Sequence, residues 1–472
     1  MTRFGLILCL MMPVLAGCAA VPKPTHVTLP AAYESGNLSV SAASPEALDQ
    51  WWRLYDDQDL TGLIEQALAN APDARMAAAR LAEAKAIRSG ALSAFNPQGA
   101  VRGNLNRTET DQISGGSPFL SQSGESKSAA GDFQVSWEID LFGRRYFTRK
   151  VANADLAAAR FNAEAARAAL AASVAEGVFQ VRGLAIQRSD AAETVRIQTE
   201  LFDMAKTRNG RGFGSDYDLD RAASDLAQSQ AELTRLSAEH QAARRSLLTL
   251  LGRGPDPISS LILSQGLGTV PQMPASLPSD LLQRRPDVRE SQARLTTAMG
   301  RLTLSKLAFF PTFTLLPGAG WSDSQNKVYG STVSFWSMGG GVSVPILDQP
   351  RLISQLGVQK ARATQAVIAY EKTVQGAFAE TDNTLVRLAA DQTRLGLLTD
   401  GEARAHRASD AAVLSFKAGL IPMSAALEAE RNWRAARSAM TGAKITALQR
   451  SVQAFKALGG GWSADLTKPT SK

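Results

Sequence analysis

Few residues of this chain could do covalent or redox chemistry. Its 472 residues include 3 histidines and 2 cysteines. His26, His240 and His406 have no metal-ligand spacing between any two of them. Gly210-x-Gly212-x-Gly214 lacks the preceding strand that a dinucleotide site needs. Ser123 and Lys127 miss the spacing of a Ser-x-x-Lys pair, and there is neither a nucleophile elbow nor a phosphate loop. None of these patterns predicts an enzyme. The carboxylates are grouped more suggestively. Asp216, Asp218 and Asp220 follow Gly212 at the start of a helical pattern, where the macrodipole favours acids.

The cysteines point to a membrane anchor. Arg3 and the apolar run Phe4 to Val14 read as a signal segment over residues 1–17, too short and too early for a spanning helix. Leu15-Ala16-Gly17-Cys18 then matches the bacterial lipoprotein box. The Cys18 thiol would take a diacylglycerol and the freed amine a further acyl chain, and two or more chains anchor stably. This covalent lipid is the one prosthetic group expected; no cofactor or metal is. Ala19 stands where Asp would favour inner-membrane retention, so the outer membrane is the expected location. Cys9 would leave with the signal, and Cys18 alone could form no intrachain disulfide. The formal charge of +7 is spread over helices that also carry acids, without the basic cluster that nucleic acid requires.

Two kinds of element must position these groups. Arg144 to Asn209 contains no proline and two glycines, and is dominated by good helix formers. One helix over that span would rise ~100 Å, which suggests a coiled coil or a helical repeat. The stretch has a copy. An offset of 207 places Val135-Ser136 on Val342-Ser343, Gly212 on Gly419 and Leu251-Gly252 on Leu458-Gly459. An offset of 214 places Pro72-Asp73 on Pro286-Asp287, Phe95 on Phe309 and Pro97 on Pro311. Two tandem units of about 200 residues follow, too long for a solenoid period. The expected organisation is an extended, lipidated arm over 18–50, a first unit over 51–258 and a second over 259–472. Each unit reads as helix, hairpin, long helix and return helix, with hairpins at 100–143 and 312–346.

The hairpins separate two unlike media. Phe133, Val135, Trp137, Ile139 and Leu141 alternate with Asp132, Gln134, Ser136, Glu138 and Asp140. In the second unit Thr312 to Trp321 and Thr332 to Ile346 flank a predicted loop over Ser322–Ser331. Four strands cannot close a barrel with a lumen, which needs about eight, and open edges are not tolerated in hydrocarbon. Strands in a membrane would therefore have to be shared by several chains, eight from two or twelve from three. A soluble α+β protein with hairpins packed on helices is the other reading of the same pattern.

Particular residues then resemble a known family. Arg285-Pro286-Asp287-Val288-Arg289, running on to Phe309-Phe310-Pro311, is similar to a signature of the TolC-type outer-membrane efflux channels. Ser136-Trp137-Glu138-Ile139-Asp140-Leu141-Phe142-Gly143, Leu250-Leu251-Gly252-Arg253 and Lys417-Ala418-Gly419-Leu420 fit as well. With the lipoprotein box the chain resembles the NodT/OprM-like branch, over Trp51 to Gly459. The resemblance implies an α+β membrane protein, with three chains sharing a twelve-stranded transmembrane β-barrel continuous with a helical coiled-coil barrel. It implies a homotrimer that docks on a periplasmic adaptor and an inner-membrane pump, and passes drugs or other small molecules passively to the exterior.

The same resemblance carries site residues. Counted from Gly419, Glu428 matches a family position that holds a constricting aspartate, and Asp218 matches an acidic tip position in the first unit. With Asp216 and Asp220, these acids would form rings in a trimer, attracting cations and resisting approach. Gly212-Phe213 and Gly419-Leu420 fall where the adaptor would dock, Gly419-Leu420 being the better match. Ser424 and Ala425 depart from the family, whose members often carry a bulky apolar residue or an aspartate there. A type I protein-secretion channel and a non-conducting, lipid-anchored scaffold are the alternatives.

Overall fold

The computed structural model describes residues 48–111, 124–264, 266–274, 278–326 and 329–462, together with 29–30, 33 and 40–41. Cys18, the proposed signal and nearly all of the arm lie outside these residues. Each helix and strand reflects local sequence. Helix α1 (Gln58–Asn70) begins at Asp57, whose side chain accepts from the Leu60 amide at 3.0 Å. It stops at Ala71, and α2 (Pro72–Ser93) restarts on Pro72, where a missing N–H costs nothing. Strands β1 (Gln98–Thr110) and β2 (Gly124–Ile139) follow, then the 67-residue helix α3 (Arg144–Gly210) and the 35-residue α4 (Asp216–Leu250). The same order recurs as α5 (Pro286–Leu307), β3 (Thr312–Asn326), β4 (Gly330–Ser343), the 69-residue α6 (Gln349–Lys417) and α7 (Met423–Ala457).

The chain forms two compact units. The strand unit takes Ala82–Ala158 and Ser291–Tyr370; the helical unit takes His26–Leu81, Ala159–Glu290 and Glu371–Lys472. Each draws on both halves of the sequence.

In the strand unit the four strands make one antiparallel sheet in the order β1-β2-β3-β4. One face carries Val101, Phe133, Ala319 and Trp336 in register, and the other Arg102, Asp132, Gly320 and Phe335. The first is largely apolar and solvent-exposed, which suits lipid rather than a core. The strands differ from the sequence expectation in three places. The alternation predicts β2 through Leu141, but it ends at Ile139. The Asp140 carboxylate turns back to accept from the amides of Phe142, Arg144 and Arg145 at 2.7–3.2 Å, and so starts α3. The predicted loop over Ser322–Ser331 is also mostly strand. Ladder pairs continue to Gln325↔Gly330, reinforced by the Thr332 hydroxyl donating to the Asp323 carboxylate at 2.7 Å. At its other end β4 stops at Ser343 rather than Ile346.

In the helical unit, aromatic residues from distant segments share one core. Trp51 stacks on Phe455 with centroids 5.5 Å apart, Tyr55 leans on Phe179 at 5.2 Å, and all four are buried. Leu247, Leu248, Leu251, Leu448 and Leu458 complete it. Two buried arginines tie segments around this core. Arg182 pairs with Asp57 and Asp59 and donates to the Ser264 hydroxyl at 2.8 Å. Arg285 pairs with Asp287 at 2.7 Å and Glu380 at 2.6 Å, and donates to the Ala457 carbonyl at 3.0 Å. Removing one partner from such a cluster strands a buried charge.

His240 on α4 is buried in this unit, and burial followed by the nearby Arg188 and Arg244 holds its pKa below the usual imidazole value. The unfolded ring protonates near ~6.5 while the folded one resists. Its contribution is therefore unchanged above that value and becomes increasingly unfavourable as pH falls towards the lower folded pKa. Thermal melts in detergent are expected to drop by a few degrees between neutral and mildly acidic pH, and His240→Leu is expected to flatten that slope.

Candidate functional site

The two helix turns that join α3 to α4 and α6 to α7 hold the residues singled out in the sequence. Both turns are closed by a glycine in left-handed backbone, Gly212 at φ +78 and Gly419 at φ +74. Each glycine is followed by the same paired caps. Gly212 N–H donates to the Asn209 carbonyl at 2.8 Å and Phe213 N–H to Arg208 at 2.9 Å. Gly419 N–H donates to Phe416 at 2.9 Å and Leu420 N–H to Ser415 at 2.9 Å. This geometry ends a helix while satisfying its last carbonyls, and a non-glycine residue there is strained. It also pushes the next side chain outward. Phe213 is 78% exposed and Leu420 77% exposed. A bulky apolar side chain at a helix-hairpin tip is a surface for a partner rather than a core element.

The acids occupy distinct environments. The Ser215 hydroxyl oxygen accepts from the Asp218 amide at 3.2 Å and donates to the Asp218 carboxylate at 2.9 Å, which is a reciprocal N-terminal cap. Asp216 accepts from the Asn209 side chain at 2.9 Å, across the turn. Asp220 lies one turn further on and is exposed. On the second turn α7 starts after Pro422 with no side-chain cap. Glu428 is exposed and makes no salt bridge among the described residues. Ser424 and Ala425 flank it without a carboxylate. Asp218 thus takes part in capping α4 and Asp216 ties the turn to Asn209, whereas Glu428 has no such role among the described residues.

One tip residue is missed by the sequence reading. Tyr217 is 70% exposed among the three aspartates. An aromatic residue amid first-turn acids is the signal that could have found it.

Behind the tips, polar contacts lock the helices together within the helical unit. Asp225 on α4 pairs with Arg431 on α7 at 2.7 Å, and Asp190 on α3 with Arg437 on α7 at 2.8 Å. Glu430 accepts from the Ser409 hydroxyl and from Arg434, at 2.7 and 2.8 Å. The Trp433 indole donates to Glu402 at 2.8 Å, with Arg434 over its ring at 4.4 Å. Asp190, Asp225, Glu402 and Glu430 each have a partner within reach, unlike Glu428 among the described residues.

A separate cavity of about 490 Å³ lies in the strand unit, lined by Phe95, Glu138, Arg144, Phe310 and Arg351 among others. Its cations are already engaged. Arg144 donates to the Leu307 and Phe310 carbonyls at 3.0 and 3.1 Å, and Arg351 pairs with Asp348. The cavity has no unpaired charge to offer an ionic ligand. No cluster of three or more His, Cys, Asp or Glu suited to a metal occurs among the described residues.

Comparison with known proteins decides between the readings left open by the sequence. The family model described as "Outer membrane efflux protein" matches residues 63–253 and 277–460. The chain belongs to the outer membrane efflux protein family. It is similar to the pyoverdine export outer membrane protein OpmQ of Pseudomonas aeruginosa, at 28% identity over 461 residues covering 96% of each chain. Among solved structures, the outer-membrane channel OprN superposes with a TM-score of 0.81 at 26% identity, over 94% of this chain and 100% of the other. The MtrE outer membrane channel of Neisseria gonorrhoeae gives a TM-score of 0.80 at 25% identity, over 96% and 100%. The fold is thus that of the outer-membrane efflux channels, long helices joined to a four-stranded share of a β-barrel, and the soluble α+β reading falls. This efflux protein works at the outer membrane, as its family does.

Proposed function

We propose that three copies of this outer membrane efflux protein form one gated duct, through which a periplasmic adaptor and an inner-membrane pump pass small molecules to the exterior. The observation that carries the reading is the sheet. Its four strands present an apolar face, and among the described residues β1 and β4 each have a single neighbour. Hydrocarbon does not tolerate such edges, and four strands enclose no lumen. Three chains supply twelve strands and close both problems at once.

The remaining assignments follow from the tips. Phe213 and Leu420, held outward by Gly212 and Gly419, form the adaptor-facing surface. Asp216, Asp218, Asp220 and Glu428, repeated three times, form acidic rings that favour cations and keep the closed tip under electrostatic tension. Acyl chains on Cys18 fasten the trimer to outer-membrane lipid. The duct conducts and does no catalysis. OpmQ is named for export of pyoverdine, which supports a small-molecule cargo, chosen by the pump rather than by this chain.

The test is single-channel recording of the purified protein in planar bilayers, with its mass taken in detergent. A trimer giving small, cation-selective steps is expected, and the intact mass should show acyl chains on Cys18. A monomer that never conducts, even with Asp218 and Glu428 neutralised, would leave a lipid-anchored helical scaffold as the better description.

A further inference from the structure

The face of the sheet opposite the apolar one carries little charge. Its positions are even-numbered in β1, β2 and β3 and odd-numbered in β4, and most hold Ser, Thr, Asn, Gln, Gly or Ala. Arg102, Asp132 and Glu138 are its ionised residues. Glu138 is engaged by Arg144 at 3.4 Å. The other two share one rung of the sheet. Arg102 is opposite Asp132, Asp132 is opposite Gly320, and Gly320 is opposite Phe335.

The two charges of this rung do not meet. Arg102 is exposed and makes no ion pair or hydrogen bond among the described residues. The Asp132 Oδ2 atom is out of contact with solvent and has no hydrogen-bond partner. Phe335 contributes to this cover. Its Cζ lies 2.8 Å from where a Cβ on Gly320 would stand, so the ring leans from β4 across β3 towards Asp132. Any side chain at 320 would collide with it, so the glycine is what lets the ring lie there. Phe335 nevertheless stays 46% exposed and keeps part of its ring open.

We infer that this rung is a contact site for small aromatic anions inside the duct, with the Arg102 guanidinium taking the anionic group and the Phe335 ring its flat apolar part. The inference rests on the trimeric reading above, which makes this face the lumen, and it assigns that reading a cargo class.

The chemistry is complementary. A solute against this rung touches an unengaged guanidinium and an open ring, while the nearby carboxylate is covered. The planar fork of a guanidinium matches a carboxylate, sulfonate or phosphate with two parallel hydrogen bonds. An aromatic ring favours offset stacking with a second flat group. The strands of Arg102 and Phe335 stand ~14 Å apart at the backbone, a gap that an arginine side chain, a leaning ring and a benzene-sized anion can span together.

Asp132 keeps the hold weak. A carboxylate shielded from water beside the guanidinium repels a second anion. A conducting site must bind well enough to admit its cargo and weakly enough to release it. Removing Asp132 should therefore tighten binding, the opposite of what removing Arg102 does.

Block of single-channel current tests the site in the full-length protein. Benzenesulfonate is the probe, added to both chambers, with methanesulfonate and phenyltrimethylammonium as controls. Benzenesulfonate should block wild type at a lower concentration than either control. Arg102→Gln should raise its half-blocking concentration about tenfold, the worth of a hydrogen bond to a charged group. Arg102→Lys, which keeps the charge and loses the fork, should fall between. Asp132→Asn should lower it about threefold, as expected for a partly screened like charge. Phe335→Ala should bring benzenesulfonate to the level of methanesulfonate. A rung that only supports the sheet would not give shifts of opposite sign. Should Arg102→Gln fail to assemble, the gain in Asp132→Asn and the loss in Phe335→Ala decide. Unchanged block in these variants, or stronger block of wild type by the organic cation, in a trimeric and conducting preparation overturns the site and leaves the duct standing. A wild-type monomer that never conducts overturns both.

Discussion

Asp218→Ala combined with Glu428→Ala is expected to raise single-channel conductance ~2–3-fold and to weaken the preference for cations. The two residues differ in what else they do. Asp218 accepts from the Ser215 hydroxyl at the start of α4, so part of its role is to cap a helix. Glu428 on α7 is exposed and has no salt bridge among the described residues, so stability gives no reason for its charge. In a trimer both become rings of three like charges, whose repulsion strengthens as the tip narrows and whose field draws cations in. Asp218→Asn with Glu428→Gln separates charge from size. If charge gates the duct, the amide pair should match the alanine pair in selectivity and fall short only in conductance. Unchanged conductance and selectivity in both pairs would reduce the tip acids to helix caps and remove the gate assignment.

The largest expected effect on stability is that of Trp51→Ala, at about 3–5 kcal/mol. Trp51 is 1% exposed. It stacks on Phe455 at 10° between planes, and meets Trp52 and Tyr55 edge-on with centroids 5.7 and 6.0 Å away. Truncation would open a cavity at the meeting point of the segment from Leu48 to Tyr55, α3 and the end of α7, where Tyr55 and Ser451 also share a hydrogen bond of 2.5 Å. Neighbouring backbone is pinned there, since the Gly461 amide donates to the Leu48 carbonyl at 2.9 Å, so the site cannot collapse to fill the space. Thermal denaturation in detergent should show a markedly lower midpoint. Trp51→Phe, which keeps a ring against Phe455, should lose much less. Equal melting of wild type and Trp51→Ala would show that this cluster does not limit unfolding.

Much of the helical architecture was legible beforehand, for local reasons. α3 and α6 are long because their sequences contain helix formers and no interior proline, and each stops where a glycine takes left-handed backbone. The alternation in β2 revealed a strand with unlike faces, since side-chain direction has a period of two whatever the partner. The duplication was visible in glycine and proline positions, which mark unusual backbone. The location of the candidate tip residues followed from those same glycines.

Strand pairing and long-range meetings were decided by tertiary structure, and one strand limit by a nearby side chain. Ser322 to Ser331 looked like a loop from its polar residues, yet most of it is ladder, because pairing along β3 and β4 and the Thr332–Asp323 hydrogen bond outweigh weak local preference. β2 ends early for a local reason that alternation does not show, because the Asp140 carboxylate accepts from the amides of Phe142, Arg144 and Arg145. The core of the helical unit joins Tyr55 to Ser451 across 396 positions, and no periodicity encodes which buried faces will meet. Sequence by itself therefore determined the kind, order and duplication of the elements, since backbone preference and side-chain alternation act over a few residues. Only tertiary structure decided how the buried arginines are satisfied and which sheet edges stand open, because those depend on partners far away in the chain.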